Sequence, residues 1–298
     1  MLESFLNYIS HQKRYSGNTV EAYQRDLSQY LTYLEETFEI KDEAEADYNH
    51  IRSWIVSMIE VDAKPTTINR KLASVKAFYK YLLKHEVIES NPALMVRSLK
   101  KPSRLPQFIL EEDIVELLDD IKPSEENEKD FNAWRQYIIF SLLYTTGMRR
   151  AELIDLKEED INFFNARIKV TGKRNKQRII PLPKFILKDV KKYIELKKLH
   201  FNNNDSSYLI VNNSGDQSYP MLVQTTIKKL LNAQKTKVNK RSPHVLRHSY
   251  ATHLLSNGAD INSVKELLGH AGLAATQVYT HRSIKELKRV FEQAHPKA

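Results

Sequence analysis

The sequence predicts a mainly α chain of two domains, with a small antiparallel β-sheet in the second. Three observations predict it. Apolar residues recur at helical spacing through most of the 298 residues. Two short runs, Ala166–Thr171 and Gln177–Leu182, alternate like strands around a polar turn at Gly172–Lys176. Between the two parts, residues 98–106 (SLKKPSRLP) hold two prolines and three basic residues with no period, as in an exposed, extended linker. The expected division is 1–97, a helical domain; 98–106, a basic linker; and 107–298, a second domain.

The first domain reads as four helices. Asn18–Thr37 carries Val20, Tyr23, Leu27, Tyr30, Leu31 and Leu34 at helical spacing. Thr66–Val87 carries Ile68, Leu72, Val75, Phe78, Tyr79 and Leu82 likewise, and Pro65-Thr66-Thr67 is a helix start. Shorter patterns at Leu2–Lys13 and Tyr48–Val61 complete the set. Arg70, Lys71, Lys76, Lys80 and Lys84 make the other face of the last helix basic. In the second domain, Leu110–Ile121, Phe131–Thr146, Arg150–Leu156 and Lys184–His200 read as helices. The chain from Met221 on is mostly helical, with breaks at Pro243, Gly258, Gly269 and Gly272.

Charge is unevenly placed. Residues 1–61 hold 5 Lys+Arg against 11 Asp+Glu, a net of −6. Residues 62–106 hold 10 against 3 (+7), and residues 107–298 hold 31 against 23 (+8), for a chain net of +9. A basic middle and carboxy-terminal part suits a polyanion, and equally suits a solvated surface. There are no cysteines, which excludes disulfides, thiolate metal sites and cysteine nucleophiles. No run reaches the length of a spanning helix, and Met1–Gly17 lacks a basic region followed by an apolar one, so neither a membrane segment nor a signal peptide is expected. A cytoplasmic protein is the expectation.

Three clusters in the second domain carry chemistry. In Thr146–Leu153, Arg149 follows a glycine turn and opens a short helix, where a guanidinium fork can meet a phosphate; the plain alternative is an ion pair with Glu152 one helical turn on. The turn GKRNKQR (172–178) can push Lys173 or Lys176 into a cleft as a proton donor, or can be a solvated hairpin. In Ser242–Leu255, Ser242-Pro243 starts a helix whose first turn carries His244 and Arg247 on one face. His270 follows in a Gly-His-Ala-Gly turn, and Tyr279 lies nine residues later. Each has a bland account alone: His248 and His253 as packing or surface residues, and most of the 15 tyrosines as core.

Together, TTGMRRAEL, TGKRNKQRIIPL, SPHVLRHSYATHLL and LLGHAGLAATQVYTH resemble the catalytic boxes of the tyrosine recombinases of the Xer/integrase family in identity, order and spacing. TVEAYQRDL and TTINRKLASVKAFYKYL extend the likeness over nearly the whole chain, which is most similar to the chromosomal Xer recombinases. The resemblance implies a helical, SAM-like core-binding domain and an α+β catalytic domain closing as a clamp on DNA. It implies a catalytic set of Arg149, Lys173, His244, Arg247, His270 and the nucleophile Tyr279. Arg174 stands where the family's loop has glycine. By the same resemblance, Arg149 and Arg247 would clamp the phosphate and His244 would transfer a proton with Tyr279. Lys173 would protonate the departing 5′-oxygen, and His270 would donate a hydrogen bond.

A site-specific recombinase working through a 3′-phosphotyrosyl link, and resolving chromosome dimers at cell division, is the expected function. Its partners would be double-stranded DNA bearing a recombination site and further protomers in a tetramer on paired sites. A second, non-identical recombinase in the synapse and an activating DNA translocase are the further candidate partners. Arg70, Lys71, Lys76, Lys80, Lys100 and Lys101 are the candidate DNA contacts. Residues 282–298, with Ile284, Leu287, Val290 and Phe291, would dock on a neighbouring protomer or pack on their own domain. No cofactor and no metal are expected: there is no phosphate-binding glycine loop, and Glu158-Glu159-Asp160 reads as a solvated helix end. The alternatives are a mobile-element integrase, an enzyme that only relaxes DNA, and an architectural protein without catalysis.

Overall fold

The computed structural model describes residues 1–100, 107–172, 175–202, 206–233 and 241–269. The chain divides into two compact units, Met1–Arg104 and Leu105–Ala298. Among the described residues the fold is mainly α with one three-stranded antiparallel sheet. No helix among them is long and apolar enough to cross a membrane.

The first unit is built from α1 (Leu2–Asn7), which runs into a π-helical turn at Tyr8–Gln12, then α2 (Gly17–Phe38), α3 (Tyr48–Glu60) and α4 (Pro65–Lys84). The starts follow from local chemistry. Asp47 caps α3 by accepting from the amides of Asn49 and His50 at 2.8 and 3.0 Å. Pro65 opens α4, where its missing N–H costs nothing. The apolar stripes meet in a core of Leu27, Tyr30, Leu34, Ile51, Ile68, Leu72, Val75, Phe78, Tyr79 and Leu82. α4 ends at Lys84, short of the expected Val87, because Glu86 turns to positive φ.

Two of the expected DNA contacts are engaged within this unit. The carboxylate of Asp26 is buried and pairs with Arg70. Ser74 donates to it at 3.0 Å, as a buried charge requires. Lys71 donates to Gln29 and lies over the Trp54 ring. Lys80 and Lys100 are exposed and Lys76 is half-buried; Lys101 lies outside the described residues. Leu99, at the start of the expected linker 98–106, is tied back to α4: Asn69 accepts from the Leu99 amide at 2.7 Å and donates to its carbonyl at 2.9 Å.

The second unit begins with α5 (Glu111–Asp120) and α6 (Phe131–Thr146). Asp130 caps α6, and the helix is buried on nearly every side, which its uniformly apolar sequence demands. α7 (Arg150–Ile154) leads to the sheet β1 (Ile161–Asn162), β2 (Arg167–Thr171) and β3 (Gln177–Pro181), in the order β1-β2-β3. α8 (Lys184–His200), α9 (Pro220–Ala233), α10 (Pro243–Ser256) and α11 (Ile261–Leu268) follow. Helices α8, α9 and α10 pack on α6.

The pairing Ile168↔Ile180 and Val170↔Arg178 puts these four residues on the buried face of the sheet. Strand β1 was not foreseen, since two residues show no alternation. The acidic run 158–160 is also less solvated than expected: Glu158 pairs with buried Lys197, and Asp160 with Lys169 at 3.1 Å.

Candidate active site

Four segments of the second unit converge on one carboxylate. α6 ends at Gly147, whose φ of +59° turns the chain sharply. A Cβ there would lie 2.5 Å from Tyr250 Cδ1 and 2.7 Å from Leu268 Cδ2, so the turn is packed as well as bent. Arg149 emerges from it as the residue before α7. Glu152, one turn into α7, reaches back: Oε2 accepts from the Arg149 amide at 2.7 Å, and Oε1 from the Arg149 guanidinium at 2.7 Å. Glu152 is 5% exposed. Its second partner is Arg178, on the buried face of β3, which binds Oε1 and Oε2 at 3.0 and 2.8 Å. Burial pushes the Glu152 carboxyl up. The hydrogen bonds and charge of Arg178, with the bonds from Arg149, outweigh it and hold the group below the usual carboxylate range.

The third arginine comes from α10. Arg247, 8% exposed, donates to the carbonyls of Gly147 and Leu268. Burial, together with the nearby charge of Arg149, lowers its pKa to about 10, and Glu152 opposes that fall. The guanidinium therefore stays charged at neutral pH.

The carboxy-terminal end of α11 gathers all three arginines. Arg178 Nε binds the carbonyl of Leu267 at 2.8 Å, Arg247 that of Leu268 at 2.6 Å, and Arg149 that of Gly269 at 3.0 Å. A helix C-terminus, with its unsatisfied carbonyls and negative dipole end, suits such a set of cations. Three guanidinium groups beside one carboxylate leave a local excess of two positive charges. Arg149, the outermost, has a side chain 37% exposed.

Of the six residues expected in the site, the structure thus brings together Arg149 and Arg247. His244 is exposed on the first turn of α10, three residues before Arg247. Lys173, His270 and Tyr279 lie outside the described residues, as does the tail 282–298. No cluster of three or more possible metal ligands occurs among the described residues.

The phage integrase family signature matches residues 107–286, and that family's amino-terminal SAM-like domain matches residues 2–86. The chain belongs to the phage integrase family. It is a tyrosine recombinase by descent, of the Xer group. Tyrosine recombinase XerC of Chlorobaculum parvum is 35% identical over 318 aligned residues, covering 100% of this chain and 94% of that one. Tyrosine recombinase XerD of Staphylococcus epidermidis is 32% identical over 300, covering 100% and 99%. In fold, the chain is similar to the XerH site-specific recombinase bound to a palindromic difH substrate in a post-cleavage complex. The TM-score is 0.72 at 20% identity, covering 97% of this chain and 83% of that one.

The residues that sequence reasoning missed are Arg178 and the full role of Glu152. The sequence offers Glu152 only as a partner for Arg149, one helical turn away. Arg178 carried one signal: it alternates with Ile180 on what should be an apolar face.

Proposed function

We propose that this recombinase cuts and rejoins DNA at a defined site through a 3′-phosphotyrosyl link to Tyr279, and that it resolves chromosome dimers at cell division. The observation that carries the reading is the convergence of Arg149 and Arg247 at a site with two positive charges in excess. A phosphodiester attacked in line gathers negative charge on its non-bridging oxygens. Two guanidinium groups held side by side by adjacent carbonyls are preorganised to receive it. Each arginine has five N–H donors, so the hydrogen bonds to protein leave others for phosphate. His244, on the same helix as Arg247, would handle the proton of Tyr279, whose phenol is a weak nucleophile until that proton leaves. Lys173 would protonate the departing 5′-oxygen, and His270 would donate a further hydrogen bond. The phosphotyrosyl link conserves the bond energy, so rejoining needs no ATP. The XerC and XerD relatives support a place among the Xer recombinases, and the resemblance to the chromosomal members of that group is what suggests the chromosomal role. Double-stranded DNA and further protomers on paired sites are the proposed partners.

The test is a nicked duplex incubated with the chain in excess chelator. A covalent protein–DNA adduct is expected. Tyr279→Phe should abolish it while leaving DNA binding intact; an adduct that survives the substitution would remove Tyr279 from the role. Sequencing the trapped DNA identifies the target, and a chromosomal site rather than a mobile-element end is expected.

A further inference from the structure

Arg178 has no exposed face to offer a substrate, being 5% exposed. Its Nε, Nη1 and Nη2 each donate to protein, to Leu267 O, Glu152 Oε1 and Glu152 Oε2. It joins β3, α7 and α11. The backbone is drawn up to this ion pair at two glycines. A Cβ on Gly172 would sit 3.2 Å from Glu152 Oε1, and one on Gly269 would sit 3.1 Å from Arg178 Cδ. These two glycines immediately precede Lys173 and His270 in the sequence.

The hydrogen-bond pattern at Glu152 suggests what the pair is for. Arg178 takes both carboxylate oxygens as a bidentate fork. Arg149 is left with a single side-chain bond to Oε1, and the rest of its fork is uncommitted to that carboxylate. Without Arg178, a buried carboxylate with one remaining cation would turn and chelate it, since an unpaired buried charge is costly. Arg149 would then be neutralised by Glu152 rather than offered to phosphate.

We propose that Arg178 is a positioning residue for DNA cleavage: by occupying Glu152, it keeps the Arg149 guanidinium available to the scissile phosphate. The proposal rests on the reading of Arg149 and Arg247 as a phosphate clamp.

Single-turnover cleavage by the full chain tests it, on a nicked duplex carrying the site sequenced from the trapped adduct, with affinity measured separately. Arg178→Met should lower the rate constant at saturating DNA about 100-fold, with affinity within about threefold of wild type. Adding Glu152→Gln should recover about tenfold of that loss, because the capturing carboxylate is gone. A purely structural role predicts a smaller reactive amplitude with an unchanged rate constant, and no recovery. Either of those results overturns the proposal. If Arg178→Met does not fold, Arg178→Lys serves: it keeps the charge and loses the fork, and a wild-type rate constant in that variant overturns the proposal. Absence of an adduct with the wild-type chain would remove the recombinase reading together with this one. Normal wild-type cleavage with an unaffected Arg178→Met removes this one alone.

Discussion

His253 shows how a residue type common in active sites can serve packing instead. Its Nε2 is 2.9 Å from the Ile109 carbonyl, which can only accept, so Nε2 carries the proton. Nδ1 then accepts from the Tyr144 hydroxyl at 3.0 Å. Burial holds its pKa below the usual value of 6.5, against the opposing pull of the Ile109 carbonyl and of Glu111. The unfolded chain therefore binds a proton that the folded chain resists. Stability from this group is complete above about pH 6.5 and is lost as pH falls from there toward the lowered folded value. His253→Leu should be less stable at pH 8, yet lose less further stability between pH 7 and 5, as read from urea midpoints. Parallel pH dependence in the two proteins would refute the assignment. At this scale the sequence was partly legible. In the sequence, His253 lies on the same helix as the candidate His244 with nothing local to separate them. The separation comes from Ile109 and Tyr144, more than a hundred residues away. Arg178 escaped notice for the same reason: its carboxylate partner is 26 residues distant.

Elements were more legible than residues, because a helix declares itself within a dozen positions. The stripe of α4 and the apolar run of α6 define both helices from local pattern. Strand β1 did not, being two residues long and held by its partner rather than by its own alternation. The sequence shows the glycine turn from α6 to α7 but not its tightness, since Tyr250 and Leu268 come from other helices. That turn aims Arg149. Gly147→Ala would add a left-handed residue, costing about 1–2 kcal/mol. It would also force the Tyr250 ring aside, costing about 1–3 kcal/mol more. A lower denaturant midpoint is expected, together with slower cleavage at saturating DNA, because Arg149 and the carbonyl that Arg247 binds both ride on this turn. An alanine variant with wild-type midpoint and rate would show that the turn carries neither load.

At the scale of the whole chain, the two apolar clusters share no residue among those described. One comprises Phe5 to Val96, the other Ile109 to Leu268. Each is large enough to fold its own unit, so stability should be partitioned between them rather than held in common. Phe78 tests this. It is fully buried in the first cluster and meets the Phe5 ring edge-on at 5.5 Å. Phe78→Ala removes an aromatic side chain whose space cannot fully close, a loss of about 3–5 kcal/mol. If stability is partitioned, that loss falls on the first unit alone. In native-state hydrogen exchange, the amides of α2 and α4 should then lose protection by the full amount, while those of α6 and α10 keep theirs. The reciprocal substitution, Phe140→Ala in α6, should do the reverse. Both variants losing protection uniformly would mean that the chain unfolds as one body. In that event DNA affinity and cleavage would fall together in any core variant. With partitioned stability they separate: Phe78→Ala should weaken DNA binding through the first unit, while DNA-saturated cleavage, assigned by the proposal to the arginine cluster of the second, should stay near wild type.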